Sequence, residues 1–295
     1  MAAKTKLFTM IGEYPNTKAL RSGAIKSDLV EFDFYDVKVP NTAFKPIVRE
    51  AKYDCAELAI NTFLQARFYR KPYVLLPATI VGRGQIQNVL YNAERGHLSP
   101  TDLHGKRVGV RAYTQTTGMW VRGMFAELYG MEVDKVRWVT FEEGHIAEYK
   151  DPPFVERAPA GKQLMQMLLD GELDAAIITD RTDPRLKQLV PNADEVNRKW
   201  AETHGGVPIN HMLVMRGSIV KSRPDVAREV FRMVLESRRQ MDSSKDGKLD
   251  PLRFGLENVR KSLELAIEMS LVQKFIARKL SVDELFDDTT RALAP

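Results

Sequence analysis

The feature that most constrains this fold is the alternation of short apolar runs with helical patterns along all 295 residues. Runs such as PYVLLPATIV (72–81) and INHMLVMRG (209–217) are typical of buried strands. PDVAREVFRMVLESRRQMDS (224–243) has the apolar spacing of an amphipathic helix. Strands that alternate with helices predict an α/β protein with mainly parallel sheets. Such sheets bind ligands beyond the carboxyl ends of their strands.

The composition of the chain limits the kinds of partner that it can bind more than it limits the fold. The chain is long enough for one large or two medium domains, and its net charge is +5. Its positive charges are scattered among acids and form no basic stripe with interleaved aromatic residues. We therefore expect no nucleic-acid partner and favour an anionic small molecule. The sequence is also compatible with a homo-oligomer.

The single cysteine, Cys55, excludes an intramolecular disulfide and a cysteine metal cluster. No run approaches the roughly 20 apolar residues of a membrane span. The first residues, MAAKTKLFTMIGEY, read as a strand rather than as a leader peptide. We expect a cytoplasmic protein that does not contact a membrane.

The stretch RVGVRAYTQTTGMWVRG (107–123) places a polar turn between a buried strand and a helix. Thr114, Thr116 and Thr117 lie in this turn. They are candidates to cap the helix, and also to bind a carboxylate through hydroxyl and N–H groups at its N-terminus.

Several segments, in order along the chain, carry a family resemblance. SPTDLHGKRVGV (99–110) is typical of periplasmic-binding-protein-like folds. TTGMWVRGMFAELYGMEVDKVRWVT (116–140) resembles the TA-x-W-I-R-G-x-L-x-x-E-Y-G-V helix of 4,5-dihydroxyphthalate decarboxylases. Further motifs of that family are similar to YDCAELAINTFL (53–64), LLDGELDAAI (168–177), VPINHMLVMRGSIVKSRPDVAREVF (207–231) and FGLENVRKSLE (254–264).

The resemblance implies a two-lobed periplasmic-binding-protein-like fold of type 2. Each lobe would be a mainly parallel sheet flanked by helices, with the ligand cleft between the lobes. We expect residues 1–95 and 212–295 to form the first lobe, and residues 96–211 to form the inserted second lobe.

The activity that the resemblance implies is cofactor-independent decarboxylation of an aromatic hydroxy-carboxylate. The ring carbon that bears the carboxylate accepts a proton and CO2 leaves, while a ring hydroxyl stabilises the charge. The site must therefore hold an anion and supply a general acid. No electron-sink cofactor is needed. No metal is expected either, since His211 has no second ligand at metal-binding spacing. The alternatives are a non-enzymatic solute-binding protein and a sensor for an aromatic carboxylate.

The candidate acid is His211, which opens an apolar run and matches the histidine of the family motif. Its structural alternative is a histidine that bonds a backbone carbonyl at a strand end. Glu57, predicted to lie on an apolar helix, would orient His211 or bind a phenol. The alternative for Glu57 is an exposed helix face.

The remaining candidates would bind the substrate. Arg122 and Trp120 match the family helix. Arg122 belongs with His211 and Glu57 to the candidate catalytic set, in which it would bind a substrate carboxylate through both nitrogens of its guanidinium. The alternative for Arg122 is a surface helix arginine. Asp180 and Arg181 follow the predicted strand DAAIIT, and they could equally form a solvated ion pair.

One family motif is altered here. The family pattern I-P-V-F-x-S-R-x-F-R-H corresponds to LLPATIVGRGQI (75–86). Arg83 lies one position from a family arginine in this stretch and is a candidate to bind the substrate. The other family arginine and the histidine correspond to Gln85 and Ile86. If those arginines hold substrate carboxylates, a different aromatic acid is expected.

Overall fold

The structure, a computed structural model, describes residues 3–179, 181–241 and 250–295. The chain forms two compact units. Unit 1 comprises residues 1–83 and 204–295, and unit 2 comprises residues 84–203.

Each unit contains one sheet, and helices follow most of the strands. The strands are β1 (Thr5–Met10), β2 (Val30–Phe34), β3 (Cys55–Ala59), β4 (Tyr73–Gly82), β5 (Val89–Asn92), β6 (Arg107–Val110), β7 (Arg137–Thr140), β8 (Val155–Arg157), β9 (Ala175–Ile177), β10 (Leu186–Gln188) and β11 (Ile209–Arg216). The α-helices are α1 (Lys18–Arg21), α2 (Phe44–Glu50), α3 (Ile60–Phe68), α4 (Thr116–Tyr129), α5 (Leu164–Asp170), α6 (Ala193–His204), α7 (Gly217–Ser222), α8 (Pro224–Arg239), α9 (Leu256–Val272) and α10 (Asp288–Arg291). None of the described helices has the length and apolar character of a membrane span.

The sheet of unit 1 has the strand order β2-β1-β3-β11-β4. β1 runs parallel to β2 and β3, whereas β11 runs antiparallel to both β3 and β4. β11 is thus the one reversed strand among those described in this sheet. The carboxyl ends of β1, β3 and β4 meet the beginning of β11 at one edge, which we call the carboxyl edge.

The sheet of unit 2 has the order β10-β5-β9-β6-β7-β8 and the same design. β6 runs parallel to β7 and β9, and β8 continues in that direction beside β7. β5 is antiparallel to β9 and β10. In each sheet the reversed strand is the first one formed after the chain passes from one unit to the other. The expectation of mainly parallel α/β sheets is confirmed.

The core of unit 1 lies between its sheet and the long amphipathic helix. Leu213 and Met215 of β11 pack in one cluster with Val230 and Phe231 of α8, and all four are buried. In unit 2, Val139 of β7 and Leu168 of α5 belong to a separate buried cluster. Each large apolar side chain that is buried in these clusters contributes about 1.5–3 kcal/mol of free energy to the packing of a sheet against its helices.

The structure divides the chain earlier than the sequence suggested at both crossings. The predicted boundaries were 95/96 and 211/212, whereas the units separate at 83/84 and 203/204. Residues 89–92 form β5 and pair with β9 and β10 of unit 2, so they cannot belong to unit 1. Residues 209–211 begin β11 and pair with β3 and β4, which places them in unit 1.

Candidate active site

The pairing of β3 with β11 brings Glu57 and His211 together at the carboxyl edge. His211 lies opposite Ala59, and Leu213 lies opposite Glu57. Because side chains alternate between faces, His211 and Glu57 are diagonal neighbours on one face of the sheet. The register of β11 on β3 brings His211 and Glu57 together, although the two residues are far apart in the sequence.

Glu57 corrects a secondary-structure prediction. The segment CAELAINTFL was expected to be helical, but residues 55–59 are a fully buried strand and α3 begins only at Ile60. A short apolar run of this kind has no period that separates a buried strand from a buried helix. The exposed helix face, which was the alternative for Glu57, is also wrong, because the residue is 0% exposed.

Only one of the two carboxylate oxygens of Glu57 has a hydrogen-bond partner among the described residues. Its Oε1 accepts a 2.8 Å hydrogen bond from the hydroxyl of Tyr14. Its Oε2 is buried and has no hydrogen-bond partner among the described residues. Burying a carboxylate oxygen without a protein donor is costly, which makes Glu57 a candidate functional residue.

His211 faces this carboxylate through one ring nitrogen. Its Nδ1 lies 3.7 Å from Oε1 of Glu57, and the side chain as a whole is 20% exposed. Nδ1 itself is buried and makes no hydrogen bond within the described part of the chain, so the exposed part of the side chain belongs to other atoms. The ring of Phe44 packs edge-on against the imidazole, with the centroids 5.1 Å apart.

Tyr14 is a member of this site that the sequence analysis missed. It lies in the turn that follows β1, at the same carboxyl edge. Burial raises the pKa of its hydroxyl well above the ordinary value, and the neighbouring Glu57 charge raises it further, whereas Arg83 lowers it. Tyr14 therefore keeps its proton and remains a donor. The signal that could have identified it is the polar GEYPNT turn directly after the first strand.

Arg83, a predicted binding residue, also lies at this edge. It follows β4 directly, and its backbone N–H donates to the carbonyl of Pro208 over 3.1 Å. Arg83 is exposed, and its positive charge lowers the pKa of the Tyr14 hydroxyl. The structure thus places Glu57, His211 and Arg83 in one neighbourhood of unit 1, together with Tyr14.

The threonine turn of unit 2 follows β6, as predicted, but the capping prediction is wrong. The N-cap of α4 is Gln115, whose side chain makes no capping hydrogen bond. Thr116 and Thr117 occupy the first two helical positions instead, and Thr114 precedes the cap. All three threonines are buried. Contact between these threonines and a ligand stays a prediction.

Arg122 is wholly buried, so the alternative of a surface arginine is wrong. Its Nη2 donates to the carbonyl of Tyr113 over 2.6 Å. Its guanidinium carbon lies 4.2 Å from the ring centroid of Tyr113 and 5.0 Å from that of Trp138. Burial lowers the pKa of this guanidinium from its ordinary value. The observed contacts fix the turn between β6 and α4, while a direct contact with substrate stays a prediction.

Trp120 and Arg181 make contacts different from those of Arg122. Trp120 is buried against Trp200, with the ring centroids 6.0 Å apart at 73°. Arg181 is exposed and donates to Oδ1 of Asn88 over 3.5 Å. Asp180 lies outside the described residues. Within residues 3–179, 181–241 and 250–295, no three His, Cys, Asp or Glu side chains form a group that could hold a metal ion.

The chemistry that unit 1 can perform is proton transfer. A buried carboxylate beside one imidazole nitrogen is an acceptor for a proton on that nitrogen. The other ring nitrogen is then available to give a proton to a bound molecule. The separation of 3.7 Å is longer than a hydrogen bond, but acid–base pairs often tighten only when substrate binds.

Comparison with solved structures shows the fold that this chain shares with other proteins. The alkanesulfonate-binding protein SsuA from Xanthomonas axonopodis pv. citri is similar with a TM-score of 0.67 and 11% identity, over 97% of this chain and 99% of that chain. The desulfurization enzyme DSZB is similar with a TM-score of 0.57 and 13% identity, over 97% of this chain and 98% of that chain. At these identities the likeness concerns the fold alone, which is the periplasmic-binding-protein-like fold.

Comparison of sequences defines the family. The chain is 31% identical to 4,5-dihydroxyphthalate decarboxylase of Pseudomonas putida over 182 residues, which cover 59% of this chain and 70% of that protein. It is 28% identical to the enzyme of the same name from Comamonas testosteroni over 242 residues, covering 75% and 71% of the two chains. A search of protein-family models finds no match. The chain belongs to the 4,5-dihydroxyphthalate decarboxylase family.

Proposed function

We propose that this protein is a carboxy-lyase that removes one carboxylate, as CO2, from an aromatic hydroxy-carboxylate. The observation that carries the proposal is the position of His211 beside the buried carboxylate of Glu57, in a chain of this family. A histidine held in this way is suited to the proton transfer that such a decarboxylation requires.

The reaction adds one proton and releases one molecule of CO2. His211, in its imidazolium form, gives a proton to the ring carbon that bears the carboxylate. A ring hydroxyl para or ortho to that carbon stabilises the positive charge of the resulting dearomatised intermediate. The bond to the carboxylate then breaks, its electron pair restores the aromatic ring, and CO2 leaves. His211 regains a proton from solvent.

The other residues have separate roles in this proposal. Glu57 orients His211 from the side of Nδ1, so that Nε2 delivers the proton. Arg83 supplies positive charge at the same edge for a substrate carboxylate. A cytoplasmic location is part of the same proposal.

The test is turnover of 4,5-dihydroxyphthalate, with CO2 and 3,4-dihydroxybenzoate followed as products. Phthalate, which lacks the ring hydroxyls, is the substrate control and should not react. His211→Asn should lower kcat by about a hundredfold or more, because it removes the acid and keeps much of the side-chain volume. His97→Asn, at an exposed histidine of unit 2, is the matched control and should keep full activity.

Two outcomes would overturn this proposal. Binding of hydroxylated aromatic acids without any turnover would favour a solute-binding protein or a sensor. Unchanged turnover in His211→Asn would remove this histidine from the mechanism. Turnover of a different hydroxybenzoate, but not of 4,5-dihydroxyphthalate, would retain the reaction and assign the altered arginine motif to substrate choice.

A further inference from the structure

The hydroxyl of Tyr14 and the imidazole of His211 both approach the carboxylate of Glu57. Oε1 of Glu57 accepts from Tyr14 over 2.8 Å and lies 3.7 Å from Nδ1 of His211. Both neighbours therefore approach the same carboxylate oxygen, and the position of that oxygen depends on the hydrogen bond from Tyr14.

The turn that carries Tyr14 is held rigidly. The hydroxyl of Thr17 donates to the carbonyl of Gly12 over 2.7 Å and accepts from the backbone N–H of Tyr14 over 2.9 Å. The side-chain amide of Asn16 donates to the carbonyl of Ile80 on β4, and the backbone carbonyl of Asn16 accepts from the hydroxyl of Ser237 on α8. These bonds fix the turn to the strand and the helix beside it, as the supporting groups of a functional site require.

Gly12 gives Tyr14 the space that it occupies. A Cβ atom at this position would lie 2.8 Å from the Tyr14 hydroxyl oxygen and 2.7 Å from Cγ of Pro40. Real Cβ atoms do not approach other atoms so closely, so any side chain here would displace Tyr14 or Pro40.

Among the described residues, the charged group recorded beside His211 is Glu57 of β3. Tyr14, from the turn after β1, contacts Glu57, and Arg83, at the end of β4, lies close enough to Tyr14 for its charge to lower the pKa of the tyrosine hydroxyl. Helix α2 contributes the uncharged ring of Phe44. Among these groups, a carboxylate fixed by a permanent donor is the acceptor available to Nδ1.

We propose that Tyr14 is a positioning residue: its hydrogen bond to Oε1 of Glu57 orients the carboxylate so that His211 carries its proton on Nδ1 and presents Nε2 to the substrate. The role of Nε2 in turnover rests on the proposed function, whereas the position of the ring proton does not. A neutral imidazole has one N–H and one acceptor nitrogen, and the hydrogen bond of one nitrogen decides the state of the other.

The test is Tyr14→Phe, which removes the hydroxyl and keeps the ring. The ¹⁵N chemical shifts of the His211 ring report which nitrogen carries the proton. In the variant we expect the Nδ1–H form to lose population to the Nε2–H form. We expect kcat to fall roughly tenfold to a hundredfold, the effect of losing a hydrogen bond to a charged group, with KM changed less than about twofold. Tyr35→Phe, at a partly exposed tyrosine of the same unit, is the control and should change neither readout.

The outcomes separate this inference from the proposed function. Wild-type tautomer populations in Tyr14→Phe would overturn the positioning role, whatever the activity. If the wild type turns over no substrate, the proposed function fails, yet the ring shifts still decide the role of Tyr14. If Tyr14→Phe does not fold, Gly12→Ala becomes the test, because it displaces the hydroxyl without removing it, and the same tautomer change is expected.

Discussion

Nδ1 of His211 lies 3.7 Å from Oε1 of Glu57 across two paired strands, although the two residues are 154 positions apart in the chain. The relationship depends on β11 being the reversed strand of its sheet. Its first residues therefore meet the last residues of β3 at the carboxyl edge. The antiparallel pairing of β11 with β3 therefore brings a histidine near the beginning of one strand beside the glutamate of the other.

Glu57→Gln should abolish most activity with little loss of stability. The amide cannot stabilise an imidazolium as a carboxylate does, so we expect kcat to fall by about a hundredfold or more. The substitution also removes a buried, incompletely paired charge, so the free energy of unfolding should not fall by more than about 1 kcal/mol. Turnover kinetics and urea unfolding measure the two effects. Glu31→Gln, at an exposed glutamate of β2, is the control, and an active Glu57→Gln enzyme would contradict the pairing.

Gly12→Ala should disturb the same site from outside it. The new Cβ would lie 2.8 Å from the Tyr14 hydroxyl oxygen. Relief of this overlap should lower the free energy of unfolding by about 1–3 kcal/mol, and we expect kcat to fall as well. Gly217→Ala is the matched control, since its Cβ would meet Val74 and Pro72 only at 3.6–3.7 Å. Equal thermal unfolding temperatures and equal kcat values for the two variants would show that Gly12 has no special packing role.

The long apolar patterns made much of the fold predictable from the sequence. The runs that become β4 and β11 and the amphipathic pattern of α8 each span enough residues to give a clear period. The strand β5 has only four residues, and its pairing with β9 and β10 was needed to place it in unit 2. The first boundary between the units was misplaced for this reason, whereas the second was misplaced because β11 begins at Ile209 and pairs within unit 1.

The site was only partly predictable from the sequence, because its contacts join segments that are far apart in the chain. His211 and Glu57 were found through family motifs, but the partner of Glu57 is Tyr14, 43 residues away in the chain. No local pattern encodes that contact, which depends on the order of β1 and β3 in the sheet. Arg122 was expected to bind a ligand, and its stacking on Tyr113 and Trp138 emerges only when β6, β7 and α4 pack together.

Glu284 should make stability depend on pH on the acid side. Its pKa is lowered to about 2, chiefly by the hydrogen bond from Arg278 and then by that from the Ser281 N–H. A carboxylate with a lowered pKa stabilises the folded state above its unfolded pKa, and this contribution is lost as the pH falls through the folded value. Wild type should therefore exceed Glu284→Gln by roughly 0.5–1 kcal/mol at pH 7, a small value because the pair is exposed.

Urea unfolding of both proteins between pH 7 and pH 2 measures this difference. It should shrink as the pH falls from the ordinary glutamate pKa of about 4.3 toward about 2. A difference that grows on acidification would show that the carboxylate does not stabilise the folded state in this way.

Arg122→Ala should destabilise unit 2 strongly. The substitution removes a hydrogen bond to the Tyr113 carbonyl and the stacking on two rings, and it leaves a cavity, so we expect a loss of about 3–5 kcal/mol. Arg122→Lys should recover little of this loss, because an ammonium cannot stack as a planar guanidinium does. Tryptophan fluorescence isolates the effect, since the three tryptophans of the chain, Trp120, Trp138 and Trp200, all lie in unit 2.

The control for this prediction is Arg137→Ala, which removes an exposed ion pair with Glu156 and should cost less than about 1 kcal/mol. An Arg122→Ala protein with the wild-type urea midpoint but no affinity for aromatic acids would reverse the interpretation. In that case the guanidinium acts on the ligand rather than on the turn between β6 and α4. A large loss of stability that also appears in Arg122→Lys would instead establish that the planar cation between Tyr113 and Trp138 holds that turn in place.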